Sequence, residues 1–397
     1  MPPATSHFVR LVELPPGVAA TTLEPPPGLR WHSAAEGDAE RFVGWARGAV
    51  AALLPPDVRE ALAAWAEGGD EAPPALLLRG LGVDVDLEGT EAVREAGFQK
   101  RGQRSEAWIL GIAALFGDVL ATDEKALGQA AAERVGASLS PEPEPDKWSA
   151  ERGALGGLAI SIGNLVARQG RSRTRVAHDG TPLSGLADLN IHRDGMFDEF
   201  GTYNYTDGGD ELFMPDKLFL FCNRGDPGGE ALTWLTDMRT LYDLLSPEDR
   251  QILATTPLRF FDGADTAGGR DYQESYRAAV APNREGHDNP NTVSGSAACP
   301  KISLQESRPV DRENSDAAAC DAYDRLFKLG QEVREGVALQ AGELLLVKNN
   351  RALHGRSPYH PRYDDSDRWV QRFTSYRPAQ IEAARNWLDR QHQPARL

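Results

Sequence analysis

Hydrophobic positions recur with different periods in the two parts of the chain. In the first 150 residues, helical spacing predicts helices over 38–54, 56–67 and 105–120, the last with Ser105 as its N-terminal cap. An apolar run with a glycine at residues 75–81 predicts one short buried strand between the helices. The first part is therefore predicted to be mainly helical.

The second part alternates apolar and polar residues with period two, which is typical of β-strands. The predicted strands cover residues 189–194, 215–223, 342–348, 352–356 and 368–376. Asn349 and Asn350 form a predicted turn between two of them. Residues 140–146, Ser-Pro-Glu-Pro-Glu-Pro-Asp, have the composition of a linker-like loop before this β-rich part.

Strands with long inserts, preceded by helices, predict an α+β fold. We expect a distorted double-stranded β-helix, a cupin-like jelly roll, buttressed by the N-terminal helices. We interpret residues 1–397 as one domain, with 1–150 as the mainly helical buttress and 151–380 as the core. Inserts near 198–211 and 263–300 are candidate lids, because they are rich in glycine and polar residues.

Two histidines and one aspartate are candidate metal ligands. His192 and Asp194 are two residues apart in a predicted strand, so their side chains point to the same face. His354 follows 162 residues later in another predicted strand. Two imidazoles and one carboxylate can bind one face of Fe(II) and leave the other positions open. A lone His-x-Asp is a weak signal, and a histidine in a polar loop is its common alternative.

Arg368 and Arg372 are candidate anion-binding residues. They are four residues apart in a predicted strand and share a face. If that face is buried, each guanidinium needs an anion, and a carboxylate pairs with it through two parallel hydrogen bonds. The alternative is a solvated face, with Trp369 and Phe373 buried on the opposite side.

Composition excludes several other classes of protein. The net charge of −16 has the wrong sign for a nucleic-acid partner. No apolar run approaches the roughly 20 residues that span a bilayer, and no secretory signal begins the chain, so we expect a cytoplasmic protein. Three widely spaced cysteines argue against a disulfide framework and a thiolate zinc site. The arginine-rich residues 168–175 fit a solvated loop, with an anionic-substrate role as the alternative.

Together these motifs resemble the Fe(II)/2-oxoglutarate-dependent dioxygenases of the clavaminate synthase-like and taurine dioxygenase-like group. The resemblance runs from about residue 153 to residue 378. It rests on His-x-Asp at 192–194, His-Gly-Arg-Ser-Pro-Tyr at 354–359 and Asp-Arg-Trp-Val-Gln-Arg at 367–372. Within that group, the chain resembles the amino-acid hydroxylases of natural-product pathways.

The resemblance implies roles for the candidate residues. His192, Asp194 and His354 would bind Fe(II), Arg368 would bind the distal carboxylate of 2-oxoglutarate, and Arg372 would bind a carboxylate of the substrate. O2 would be the oxidant, with succinate and CO2 as coproducts. Because members that halogenate lack the metal carboxylate, Asp194 favours hydroxylation, desaturation, epoxidation or ring formation.

Other contacts follow from the same resemblance. The family threonine that contacts 2-oxoglutarate usually follows Gly-Gly-Glu directly, whereas this chain has threonines at 233 and 236. We assign the role to Thr233, counted back from Asp-Met at 237–238; an ordinary β-branched strand residue is the alternative. Tyr205 in the first insert and Glu306, the only acidic residue of 301–307, are candidate substrate contacts.

The predicted activity is hydroxylation of an unactivated C–H bond in an amino acid, or in an amino-acid-derived natural-product intermediate. The same cofactors acting on another small metabolite are an alternative. A non-catalytic metal-binding jelly-roll protein would keep the histidines but need neither arginine. A zinc hydrolase could use the same three ligands and would work without O2.

Overall fold

The computed structural model describes most of the chain outside several long inserts. The described residues are 7–19, 23–31, 37–69, 72–83, 103–118, 153–155, 158–160, 162–166, 189–194, 215–258, 292–304, 310, 312–380 and 382. The linker-like segment 140–146, the arginine-rich segment 168–175, the whole insert 198–211 and most of 263–300 lie outside them.

The described residues form fourteen strands and seven helices. The strands are β1 (Val9–Glu13), β2 (Ala75–Arg79), β3 (Gly153–Leu155), β4 (Leu158–Ile160), β5 (Gly163–Val166), β6 (Leu189–His192), β7 (Lys217–Arg224), β8 (Thr233–Asp237), β9 (Val293–Gly295), β10 (Pro300–Ile302), β11 (Glu335–Val337), β12 (Glu343–Lys348), β13 (Ala352–Arg356) and β14 (Trp369–Ser375). The helices are α1 (Pro16–Ala19), α2 (Asp38–Leu53), α3 (Pro56–Glu67), α4 (Gln103–Leu115), α5 (Met238–Leu244), α6 (Pro247–Thr255) and α7 (Ala317–Val333).

Two sheets form the centre of the protein. The larger has six strands in the order β1-β2-β12-β7-β14-β5, and the smaller has four in the order β11-β8-β13-β6. Both sheets pair strands that are distant in sequence. In the larger sheet, β12 pairs with β2 on one side and with β7 on the other, and in the smaller sheet β13 pairs with β6. The N-terminal part of the chain thus contributes two strands to the larger sheet as well as helices.

An apolar layer lies between the two sheets. We call it the inter-sheet cluster; from the larger sheet it includes Leu220, Leu345 and Val370, and from the smaller sheet it includes Leu235 and Ala352. Alternate residues of a strand point to opposite faces. Residues two or four positions along the strand from a member of this cluster therefore face the same interior. This interior is where the candidate site lies.

Helices cover the outer faces of both sheets. The N-terminal helices α2, α3 and α4 pack with Phe219, Leu344 and Phe373 on the outer face of the larger sheet. On the smaller sheet, Ile191 and Leu353 pack with α5, α6, α7 and the β9–β10 hairpin. The arrangement is therefore helix, sheet, sheet, helix, with apolar contacts in each gap.

The mixed helix-and-sheet prediction is confirmed, and the predicted element bounds differ from the structure by only a few residues. Helix α4, which was predicted over residues 105–120, begins at Gln103. Ser105 therefore lies inside the helix and is not its cap. Ser105 is instead buried and donates a hydrogen bond to Gln371. The strand β1 was not predicted, because it is a short edge strand with little burial. No helix of the described residues is both long and apolar enough to cross a bilayer.

Candidate metal centre

The two candidate histidines lie side by side on adjacent strands. The antiparallel pairing of β6 and β13 places His192 opposite His354, with ring centroids 4.5 Å apart. The two backbones come close here: a Cβ at Gly355 would lie 2.3 Å from the Leu189 carbonyl oxygen. Only glycine fits at this position without a shift of one strand.

Asp194 completes the cluster from just beyond the end of β6. Its carboxylate is 3.5 Å from His354 Nε2 and 4.0 Å from His192 Nε2. One nitrogen or oxygen from each of the three residues lies within 4.8 Å of the others. Asp194 and His354 are buried, and His192 is nearly so. Residues that are 162 positions apart in the sequence therefore meet as one set of ligand atoms.

The charges around the cluster favour the protonation states that bind metal. Burial raises the pKa of Asp194, but the nearby charge of Arg372 and the hydrogen bond that Arg372 donates lower it, and this pKa lies well below its usual range. Burial lowers the pKa of His354 despite the nearby Asp194. A charged carboxylate beside a neutral imidazole is the state a divalent cation requires.

The hydrogen bonds of His192 also fit a metal ligand. Its Nδ1 lies 2.9 Å from the carbonyl oxygen of Asn190, and because a carbonyl only accepts, the proton is on Nδ1. The Nε2 lone pair then points toward Asp194. Gln331 of α7 donates to the Asn190 side chain at 3.2 Å. Two imidazoles and a carboxylate, with one imidazole oriented in this way, form a donor set suited to Fe(II).

Arg372 contacts the aspartate of the cluster directly. Its Nε donates to one Asp194 oxygen at 3.2 Å, and a terminal nitrogen lies 2.8 Å from the other. This places Arg372 on the inner face of β14, together with Val370 of the inter-sheet cluster. The predicted alternative of a solvated face does not apply to this residue, whose side chain is 29% exposed.

Arg368 is more deeply buried than Arg372, with 6% of its surface exposed. No described residue forms a hydrogen bond or ion pair with it. Its charge acts on two buried neighbours, Cys222 and Tyr359. Burial nevertheless raises the pKa of Cys222 to about 12 and raises the pKa of Tyr359. Within the described part of the chain, Arg368 is thus a buried cation with no carboxylate partner.

The two candidate threonines lie on opposite faces of β8. Thr233 is buried and lies two residues before Leu235 of the inter-sheet cluster, in register with Arg356 of β13. The Thr236 hydroxyl donates to the Gly330 carbonyl of α7 at 3.4 Å, on the outer face. The structure therefore brings Thr233, and not Thr236, toward the interior that holds the cluster.

Two predicted substrate contacts lie outside the described residues, Tyr205 and Glu306. One residue that the sequence reasoning treated only as part of a turn belongs to the site. Asn349 is fully buried and hydrogen-bonded to the backbone of Asp194. Its position after a buried strand was visible in the sequence, but its contact across 155 residues was not.

Comparison with known proteins agrees with this site. The family model described as taurine catabolism dioxygenase TauD, TfdA family matches residues 197–374. This range contains His354 and both arginines but begins after His192 and Asp194. The structure, independently of that match, brings those two residues to His354.

Curated relatives are amino-acid oxygenases and a related synthase. L-lysine 3-hydroxylase of Catenulispora acidiphila is 28% identical over 49% of this chain and 48% of its own length. Clavaminate synthase 2 of Streptomyces clavuligerus is 27% identical over 54% of this chain and 59% of its own length. The chain thus spans about half to three fifths of these relatives.

A solved structure shares the fold over nearly the whole chain. Asparagine oxygenase, in complex with Fe(II), (2S,3S)-3-hydroxyasparagine and succinate, aligns with a TM-score of 0.59. The alignment covers 92% of each chain at 22% sequence identity. At this identity, the likeness concerns the fold.

Proposed function

Because residues 197–374 carry a domain of the TauD/TfdA dioxygenase family, we propose that the protein is a non-haem Fe(II)- and 2-oxoglutarate-dependent oxygenase. Its proposed reaction hydroxylates an unactivated C–H bond of an amino acid or an amino-acid-derived natural-product intermediate, with succinate and CO2 as coproducts. The alignments with a lysine hydroxylase and an asparagine oxygenase support an amino-acid substrate.

One observation carries the proposal: the His192, Asp194 and His354 cluster faces the inter-sheet interior, where a buried arginine acts on Cys222 and has no carboxylate partner among the described residues. We assign the three residues to Fe(II). When bound, iron and 2-oxoglutarate together would supply the activation of O2. The protein's part is to hold the ligands, orient the cosubstrate and substrate, and exclude water.

Arg368 is the proposed partner of the distal carboxylate of 2-oxoglutarate. An isolated buried cation is costly, and a dicarboxylate that brings a fixed negative charge to it would offset that cost. Thr233 faces the same interior from β8 and is proposed as a second contact, since its hydroxyl can donate to a carboxylate oxygen.

Arg372 is the proposed partner of a substrate carboxylate. Its bonds to Asp194 use two of the five N–H donors of the guanidinium. Asp194 in turn has enough lone pairs to bind a metal and accept from Arg372 together. A substrate held by this arginine would lie beside the metal ligands, where hydroxylation would occur.

We extend the proposal to the organisation of the chain. The two facing sheets are interpreted as the distorted jelly roll of a single domain covering 1–397. The segments 198–211 and 263–291 remain proposed lids, whereas the end of the second predicted insert belongs to the β9–β10 hairpin on the outer face of the smaller sheet. Tyr205 and Glu306 remain proposed substrate contacts. The contribution of β1 and β2 to the larger sheet supports a single domain, because the N-terminal part shares its core.

Anaerobic addition of Fe(II) and 2-oxoglutarate tests the cofactors. We expect the weak visible charge-transfer band of a 2-oxoglutarate chelate in the wild type. The band should be absent in His354→Ala and much weaker in Arg368→Ala at the same 2-oxoglutarate concentration. Succinate release would then be screened with single amino acids, beginning with lysine and asparagine.

The alternatives predict other outcomes of the same experiment. A metal-binding protein without turnover, or a zinc hydrolase, would bind iron at His354 but show no chelate band. A desaturase or cyclase would show the band and release succinate, and the mass of the product would identify it: hydroxylation adds one oxygen, whereas desaturation removes two hydrogens.

A further inference from the structure

We propose that Asn349 is a positioning residue that fixes the metal carboxylate Asp194; this inference rests on the proposed function. Asn349 lies in the turn between β12 and β13, and no part of it is exposed. A buried side-chain amide is costly unless its donors and acceptor are all bonded. Those bonds converge on the end of β6.

The Asn349 amide pairs with both backbone groups of one residue, Asp194. The Asp194 backbone N–H donates to Asn349 Oδ1 at 3.1 Å, and Asn349 Nδ2 donates to the Asp194 carbonyl at 3.1 Å. Nδ2 also donates to the Pro215 carbonyl at 2.9 Å. Both hydrogens of the amide, and its oxygen, are therefore used.

This pairing replaces a missing strand partner. β6 ends at His192, so Asp194 lies beyond the ladder that holds His192 opposite His354. A carboxamide has the same donor and acceptor groups as a peptide bond. Asn349 thus gives Asp194 the two hydrogen bonds that a neighbouring strand would otherwise supply.

The backbone of Asn349 is itself held on both sides. Its N–H donates to the Asp216 carbonyl at 2.9 Å, and its carbonyl accepts from Arg193 Nε at 3.0 Å. Arg193 is the residue between the two candidate ligands and is almost fully buried. The clamp consequently ties the end of β6, the start of β7 and the turn that precedes His354 into one unit.

Metal affinity should depend on this unit. A carboxylate on an unconstrained segment would lose entropy when it binds metal, whereas a pre-positioned one would not. Partners that orient metal ligands typically change metal affinity by about 10- to 100-fold when they are removed. A merely structural role would instead lower the stability of the fold and leave the affinity of the folded protein unchanged.

Co(II) titration of the metal-free protein separates these two roles, because it measures affinity without turnover. The variant to compare with the wild type is Asn349→Ala. Calorimetry measures its Kd for Co(II), and the visible spectrum of the bound Co(II) is recorded, both at a temperature well below the melting point of the variant. We expect the Kd for Co(II) to rise about 10- to 100-fold. The spectrum should change as well, since the carboxylate is held less firmly.

Two controls complete the experiment. Asn350→Ala alters the same turn without an Asp194 contact, and Ser105→Ala removes a buried hydrogen bond on the far side of the larger sheet. Both should keep the wild-type Kd within about twofold, because neither touches the ligands. If Asn349→Ala does not fold, Asn349→Ser, which keeps a small hydrogen-bonding group, takes its place.

The outcomes are distinct. A wild-type Kd in Asn349→Ala, whatever its melting temperature, would overturn the positioning role while leaving the proposed function intact. Failure of both Asn349 variants to fold would also overturn it, in favour of a structural role. Absence of Co(II) binding in the wild type itself would instead remove the proposed function on which the inference rests.

Discussion

The two faces of β14 bury polar side chains with opposite arrangements of partners. On the outer face, Gln371 is bonded to Ser105 and Glu106 of α4, and Trp369 donates to Asn164 of β5 at 2.8 Å. On the inner face, Arg372 is paired with the candidate ligand Asp194, whereas Arg368, which directly precedes β14, has no hydrogen-bond or ion-pair partner among the described residues. The outer cluster is closed by protein groups, whereas in the proposed function the cosubstrate would supply the partner of Arg368.

Arg368→Ala is expected to have the largest effect on the inner face. The KM for 2-oxoglutarate should rise about 100-fold, because a buried charge pair with the cosubstrate is lost. The free energy of unfolding without 2-oxoglutarate should change by less than about 2 kcal/mol, because the loss of an unpaired buried cation offsets the loss of side-chain packing. Steady-state kinetics and urea unfolding measure the two quantities. A fall of several kcal/mol in stability would show that Arg368 is structural.

Gln371→Leu tests the outer face, where we expect a loss of stability and no change in the KM for 2-oxoglutarate. Leucine has a similar size but leaves the partners in α4 without their hydrogen bonds, so the free energy of unfolding should fall by about 1–3 kcal/mol. The KM for 2-oxoglutarate should not change in the folded fraction. A KM that rose as much as in Arg368→Ala would mean that the two faces are not separate.

Lys348 is another buried cation, but unlike Arg368 it has a hydrogen-bond partner among the described residues, and its effect on stability depends on pH. This buried lysine at the end of β12 donates to the Gly69 carbonyl at 3.1 Å. Burial, followed by the charge of Arg351, lowers its pKa from 10.5 to about 8. Between these two values the unfolded chain holds a proton that the folded protein has lost. The wild type should therefore gain stability as pH rises through this window.

Lys348→Met removes that gain. The stability of the variant relative to the wild type should be highest near pH 7 and should decline by roughly 1–2 kcal/mol by pH 10. Urea unfolding at both pH values measures the change. A difference that is constant with pH would show that Lys348 titrates at its ordinary pKa.

The sequence predicted much of the site because its residues lie in strands with clear alternation. Period two alone could place His192 with Asp194 on one face of a strand, and Arg368 with Arg372 on one face of another. The spacing of these motifs, together with His354, carried the family resemblance. Their partners could not be found in this way. The Arg372 contact with Asp194 and the Asn349 clamp both join segments more than 150 residues apart.

The fold was predictable to a similar extent. Strongly periodic elements such as α3 and β13 have the predicted bounds, since local pattern and burial agree there. The edge strand β1 has exposed apolar residues, including Leu11, and its pairing with β2 depends on tertiary contacts. Likewise, Ser105 has the residue type of a cap but is used inside the helix as a hydrogen-bond donor.

The register of β6 against β13 links metal binding to folding. A slip of one residue would turn His354 to the opposite face of the sheet and dismantle the ligand set. Only the native pairing would assemble the proposed ligands, so metal at 100 times its Kd would stabilise the folded state by about 2.7 kcal/mol. The bound ion would therefore stabilise the native register of β6 and β13 relative to slipped registers.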